Sequence, residues 1–376
     1  MNKQRSSQQK ALASFRFQID ASPQTRSRHV GYKGVQMRKR TRYSLLVAIL
    51  LVAALIAAVL LRKAAPPEAA RLLPESDAIV YVNLRPLRLE THFDRTPVAR
   101  STDYQHFIDA TGIVPERDLD AAAFALHRMD DPKGPNGPVA YSEVFEGRFD
   151  GVRLAAYLSS IASSEEKYAD HSVYTIPIEG RQLRIAQLGY DTIAASNMPT
   201  TEQIHAMLDR YRASASPFSG SSLLGARYRD VPLLSSAWGM GHVGLPFSQD
   251  GRIHVFGLAL PLAEDSTFVA SLRYGIGALH LRIEQITPTE PEAGQTVQAL
   301  GSLIHLVQTM QPLPNPQADK PEDQALRTFI SSMQVEQHKD RAIITASLPI
   351  DLVKSLATPI SGATPQPAPP DPASAH

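Results

Sequence analysis

The sequence predicts an α+β fold: one N-terminal transmembrane helix, then a domain of mostly antiparallel sheet with covering helices, divided into two subdomains. Three observations predict it. A 19-residue run without charge, Tyr43 to Leu61, stands near the start of the 376-residue chain. Beyond it, short stretches alternate apolar and polar residues and are separated by Gly, Asp and Lys-Asp turns, the pattern of hairpins. Between these stretches lie segments whose apolar residues recur every three or four positions, the pattern of helices laid on a sheet.

The first element is the apolar run. A bilayer core of roughly 30 Å needs about 20 apolar residues in a helix rising about 1.5 Å each, so Tyr43–Leu61 just spans. Charge sets its direction. Residues 1–42 hold eleven Lys or Arg and a single acid, Asp20, whereas the rest of the chain holds 27 bases and 36 acids. Arg38, Lys39, Arg40 and Arg42 abut the run and are the topology-determining residues, because bases beside a first span stay on the cytoplasmic side. The expected topology is single-pass in the inner (plasma) membrane, N-terminus cytoplasmic and bulk periplasmic or extracytoplasmic. A cleaved signal peptide has a shorter apolar region followed by small residues. Here Arg62 and Lys63 stand in that place, so the run reads as an uncleaved signal-anchor. The sequence holds no Cys, which excludes a disulfide and a lipid-bearing cysteine and fits either redox compartment.

The organisation follows. Residues 1–42 are basic and lack periodicity, and are expected to be a disordered cytoplasmic segment. Met37-Arg-Lys-Arg is also a complete signal-anchor beginning, so translation from Met37 is an alternative to Met1. Residues 62–70 form a linker containing Pro66-Pro67. Subdomain one is assigned to 71–213 and subdomain two to 223–356, with the Ser-rich 214–222 between them. Residues 357–376 are expected to be a Pro/Ala-rich disordered tail in which Gln366-Pro-Ala-Pro-Pro-Asp-Pro372 is polyproline-like with nothing to bury.

In the first subdomain, strands are expected at 78–84, 123–128, 139–145, 172–178, 183–188 and 192–196. A helix over 152–162 takes Asp150 as N-cap and turns Leu154, Leu158 and Ile161 inward. Thr200-Thr-Glu-Gln203 has the spacing of a capping box before a helix carrying Ile204, Met207, Leu208 and Tyr211. In the second subdomain, 253–260 reads as a strand, and 268–274 with 278–286 as a hairpin. In that hairpin Leu279, Leu281 and Ile283 face the core and His280, Arg282 and Glu284 face water. A helix then carries Ala293, Val297, Leu300, Ile304, Val307 and Met310, and another Leu326, Phe329, Ile330 and Met333. A last hairpin, 335–337 with 342–348, turns at Lys339-Asp340.

The chemical motifs each meet a blander reading. Gly239-Met-Gly241-His-Val-Gly244 spells a dinucleotide fingerprint, but Pro246 and Asp250-Gly251 break the helix that must follow, leaving a Gly-rich turn between strands. Ser164-Glu-Glu-Lys167 matches a penicillin-binding Ser-x-x-Lys, but its partner elements are missing and Ser7–Lys10 matches as well. The twelve His show no helical zinc spacing. Glu143, Glu146 and Asp150 lie at strand and helix ends, where solvated caps are the ordinary case. There is no phosphate loop and no nucleophile elbow.

Three segments resemble a loose group of uncharacterised bacterial membrane-anchored proteins: Leu72-Leu-Pro-Glu-Ser-Asp-Ala-Ile-Val-Tyr-Val-Asn-Leu84, Phe145-Glu-Gly-Arg-Phe-Asp150 and Leu188-Gly-Tyr-Asp-Thr-Ile-Ala-Ala195. The resemblance implies an anchored extracytoplasmic α+β domain and hands over no catalytic residue. The expected function is a binding or scaffold module of the bacterial envelope. An envelope hydrolase with a site dispersed in sequence, and a transmembrane regulator using the basic arm, are the alternatives. The expected partners are membrane lipid, through the anchor helix, and an envelope protein. No catalytic residue, metal, cofactor, small-molecule ligand or nucleic acid is expected.

Overall fold

The computed structural model describes residues 47, 49–55, 65–95, 100–213, 219–242, 254–255, 258–259, 266–275, 277–311 and 321–350. The chain forms two compact units, 1–56 and 57–376. In the first, residues 47 and 49–55 are helical, with Val47, Ile49, Leu50, Leu51, Val52 and Leu55 all more than half exposed. Among the described residues no helix is long and apolar enough to cross a membrane. The remainder of the Tyr43–Leu61 run, and Arg38, Lys39, Arg40 and Arg42, lie outside the described residues, as does the 357–376 tail.

The second unit is built on one sheet. In chain order, α1 (Glu68–Leu72) leads into β1 (Ala78–Asn83), α2 (Leu84–Thr91), α3 (Thr102–Thr111), α4 (Pro115–Asp118) and the hairpin β2 (Leu119–Arg128) and β3 (Val139–Gly147). Then α5 (Gly151–Ile161) precedes a meander of β4 (Ser164–Tyr168), β5 (His171–Ile178), β6 (Arg181–Gln187) and β7 (Thr192–Ser196), followed by α6 (Glu202–Arg212). The second half holds α7 (Ser222–Arg227), β8 (Ser235–His242), a separate small hairpin of β9 (His254–Val255) and β10 (Leu258–Ala259), then β11 (Thr267–Tyr274) and β12 (Ala278–Ile286). It ends with α8 (Glu290–Thr309), α9 (Pro321–Ser331), β13 (Gln334–His338) and β14 (Arg341–Pro349).

Twelve strands share the sheet in the order β13-β14-β12-β11-β8-β1-β2-β3-β7-β6-β5-β4, and each neighbouring pair is antiparallel. The same plan occurs twice. In each half a leading strand pairs with a two-strand hairpin, and the half's last strand returns to pair with the hairpin's outer strand: β1-β2-β3-β7 and β8-β11-β12-β14. The two leading strands pair antiparallel, with Tyr81 opposite Trp238, so an approximate two-fold axis passes through their seam. The halves 71–213 and 223–356 are thus continuous across one sheet. The largest core cluster runs through both, from Ala69 and Ile79 to Met240, Val269 and Ile286.

Strand alternation sorts the side chains into two layers. One face carries Ile79, Tyr81, Val144, Ala194 and Trp238 and is covered by α1, α6 and α7 through Leu72, Ile204, Met207, Leu208 and Leu224. On the other face α3 and α5 lie over the meander, where Leu154 and Leu158 meet Tyr174 and Ile176. Over the far half, Phe329 of α9 meets Ala346, and Leu300 of α8 meets Ile344. Ala residues at 121, 123, 125, 186 and 194 let α1 and α6 approach the sheet closely.

Asp150 caps α5 as the sequence requires, accepting from the N–H groups of Val152 and Arg153 at 3.2 and 3.1 Å. Four expectations are corrected. The capping box at 200–203 does not form: Thr201 is the N-cap in a helical conformation and its hydroxyl accepts no cap bond. The strand over 253–260 reduces, among described residues, to β9 and β10 pairing with each other. Gly239 and Gly241 are not in a turn but in β8, near the middle of the sheet. A Cβ at Gly239 would lie 3.5 Å from the Ile79 carbonyl oxygen, an ordinary contact, so the neighbouring backbone of β1 does not itself demand glycine there. Glu284 is buried, not wet, because Arg341 reaches it.

Candidate functional site

The termination of the meander creates a cleft of about 460 Å3 at one end of the sheet, between the two helical layers. Its floor is Ala155 and Leu158 of α5 with Tyr174 and Leu188, and its rim is His171, Tyr190 and Tyr211. Local chemistry places each. Strands β4 and β5 are joined by Ala169 and Asp170, both left-handed at φ 48° and 66°, the conformation of a tight two-residue hairpin turn. That turn puts Lys167 opposite Ser172, to which its ammonium donates, with Glu165 3.7 Å away. Strands β6 and β7 are joined by 188–191, closed by Leu188 N–H to the Thr192 carbonyl at 2.9 Å. Tyr190 stands at the tip of that turn, 95% exposed.

Two contacts fix the rim. His171 Nδ1 lies 2.9 Å from the Gln187 carbonyl. A carbonyl only accepts, so Nδ1 donates to it. Tyr211 meets the His171 ring edge-on at 5.8 Å. Its hydroxyl lies 2.8 Å from where a Cβ on Gly189 would stand, so glycine at 189 is what admits the ring. The cleft therefore offers ring faces together with hydroxyl, ammonium and imidazole groups.

Other clusters resolve into structure. His127 Nε2 lies 2.9 Å from Ser142 Oγ, which lies 3.1 Å from Ser196 Oγ. This resembles a nucleophile and its base, but all three are buried and Ser142 has no exposed surface. Burial lowers the His127 pKa, against the pull of Asp77, keeping the imidazole neutral. The group acts as a sealed polar ladder across β2, β3 and β7. Across the far half of the sheet, Arg341 bridges Asp230 at 3.0 Å and Glu284, and Arg282 meets Glu284 at 3.0 Å. The two grooves flanking that network, of about 700 and 660 Å3, are lined by charges that largely neutralise one another.

The sequence-level candidates are dispersed. Ser164 and Lys167 lie on the edge strand β4, three residues apart and so on opposite faces, which removes any Ser-x-x-Lys pairing. Glu143 and Glu146 likewise face opposite sides of β3. They are half-buried and not the solvated caps expected: burial raises the pKa of each, opposed at Glu146 by the Ala69 N–H at 2.7 Å. His205 bonds Glu166 at 2.9 Å and stacks on Tyr168 at 3.8 Å. Among the described residues no group of three or more His, Asp or Glu is placed to hold a metal. Sequence reasoning missed the cleft because its lining comes from five separate elements, α5, β4, β5, β6 and α6, and the turns between them. The available signal was Gly189-Tyr190-Asp191, a turn bearing an aromatic residue.

No family model matches this chain, and no curated protein matches it. Both results agree with a resemblance that reaches only uncharacterised bacterial proteins. Similar solved structures include crystal form III of TP0453, at 11% identity and TM-score 0.40, covering 78% of this chain and 98% of that one. Crystal form IV of TP0453 is similar at 10% identity and TM-score 0.42, covering 78% and 97%. A likeness at that level carries no argument about chemistry.

Proposed function

We propose that this protein is a single-pass envelope protein, held in the inner membrane by Tyr43–Leu61, whose extracytoplasmic sheet domain works as a binding module. The observation that carries the reading is the charge split about the run: eleven bases and one acid before it, and 27 bases and 36 acids from residue 43 onward. That distribution holds the N-terminal segment inside and lets an acidic domain be exported. The cleft supports binding over hydrolysis. Its rim is aromatic and open, and in its serine–lysine pair, Ser172 with Lys167, the lysine side chain is exposed and lies beside Glu165.

The absence of native Cys makes the topology test direct. Ser160 is exposed on α5, so a Ser160→Cys variant should react with a membrane-impermeant maleimide in spheroplasts. A Ser7→Cys variant should react only after permeabilisation. The reverse pattern, or recovery of the protein in the soluble fraction, would overturn the reading.

A further inference from the structure

Resting on that binding-module reading, we propose that the cleft between Ala169-Asp170 and Tyr190 is a polyproline II site, and that its occupant is this chain's own segment Pro365–Pro372. The chemistry of the two surfaces is complementary. A proline-rich strand offers ring faces and backbone carbonyls, lacks most N–H donors, and makes no internal hydrogen bonds. It is bound by aromatic grooves that supply stacking surface and donors. The cleft has Tyr190, Tyr211 and His171 for the rings, over a floor that includes the buried Tyr174, with tyrosine hydroxyls and the Lys167 ammonium to donate. Lys167 also complements Asp371, the one acid in the segment. The rigid extended ligand costs little ordering entropy, so a shallow cleft suffices.

Topology delivers the segment to the right place. Strand β14 ends at Pro349, and β5 begins at His171. The two strands are nine ladder steps apart in an antiparallel sheet. An odd number of steps makes them antiparallel to each other, so the end of β14 and the start of β5 lie at the same end of the sheet. At about 4.8 Å per step the separation is roughly 43 Å. The eighteen residues from Pro349 to Pro367 cover about 56 Å at about 3.1 Å each in polyproline geometry. The segment therefore reaches the cleft with slack, whereas residues closer to Pro349 than about 363 would fall short of it.

The test is photocrosslinking in the full-length, membrane-inserted protein with Tyr190→p-benzoylphenylalanine, a site whose exposure leaves the fold intact. A 1:1 mixture of 15N-labelled and unlabelled chains keeps the two copies distinguishable. The expected product joins residue 190 to a peptide within 365–372 of the same isotopic chain, and is lost in the Pro369→Gly/Pro370→Gly variant. Mixed-isotope crosslinks would assign the site to a second copy and overturn the proposal. Crosslinks to the Pro-rich 312–321 segment, or to another protein, would overturn the occupant while leaving a binding cleft. No crosslink at all would overturn the occupant and remove the cleft's part in the binding reading.

Discussion

Tyr81 and Trp238 stack across the β1–β8 seam, ring centroids 5.4 Å apart and planes 26° apart, at the approximate two-fold axis relating the halves. Trp238 is 3% exposed and the chain's single Trp. Its fluorescence therefore reports the junction alone, while circular dichroism reports every strand. Because the core runs through the seam, the two signals should give one coincident unfolding transition. Trp238→Ala should cost about 3–5 kcal/mol. Two separated transitions would mean the halves are independent cores.

Glu143 gives the domain an alkaline weakness. It sits half-buried on β3 between Phe124 and Ala195, and its carboxyl group has no hydrogen-bond partner among the described residues. Burial raises its pKa above the ordinary 4.5. The folded state then holds the proton more tightly than the unfolded state, so stability is fully present below pH 4.5 and declines as pH rises through the folded value. Glu143→Gln should raise the melting temperature at pH 8, by about 2–4 °C for each kcal/mol recovered. The gain should close towards pH 4. A pH-independent difference would place the effect in packing rather than charge.

Asp118 acts in the opposite direction. Burial works to raise its pKa but is outweighed by Arg117, which donates twice at 2.8 and 2.7 Å, and by the Val114 N–H at 2.9 Å, so the carboxyl lies below its ordinary 3.8. The stability it supplies is complete above that value and is lost as pH falls through the folded one. Asp118→Asn should cost about 1.5–3 kcal/mol at pH 7, measured by urea denaturation, and progressively less as pH falls below 3.8. A cost that does not change with pH would show that Asp118 matters as a shape, not as a charge.

How far the sequence could be read depended on whether the information was local. The strand over 192–196, the β11–β12 hairpin and the Asp150 cap were legible because alternation and capping are decided by adjacent residues. Strand β4 was not: Ser-Glu-Glu-Lys-Tyr has no apolar alternation and pairs on one side only, as an edge strand can. Strand β8 was obscured by its glycines, which read as a turn in the sequence but sit in the ladder between β1 and β11. Glu284 looked wet because its partner Arg341 lies 57 residues away. The cleft required the ends of β4, β5 and β6 to meet α5 and α6, a relation that no window along the chain contains.

Cleft substitutions should separate binding from folding. Tyr190 packs on nothing, so Tyr190→Ala should change stability by less than about 0.5 kcal/mol, while removing the ring face that binding uses. Tyr211 is half-buried against the main core, so Tyr211→Ala should destabilise as well as disrupt binding. Gly189→Ala is the discriminating change. Its methyl group would stand 2.8 Å from the Tyr211 hydroxyl, pushing the ring away from His171 without removing any group. If the rim geometry is what binds, Gly189→Ala should behave like Tyr190→Ala in binding while melting close to the parent. Binding equal to the parent in both Gly189→Ala and Tyr190→Ala would dismiss the cleft and send the search to the grooves beside Arg282 and Arg341.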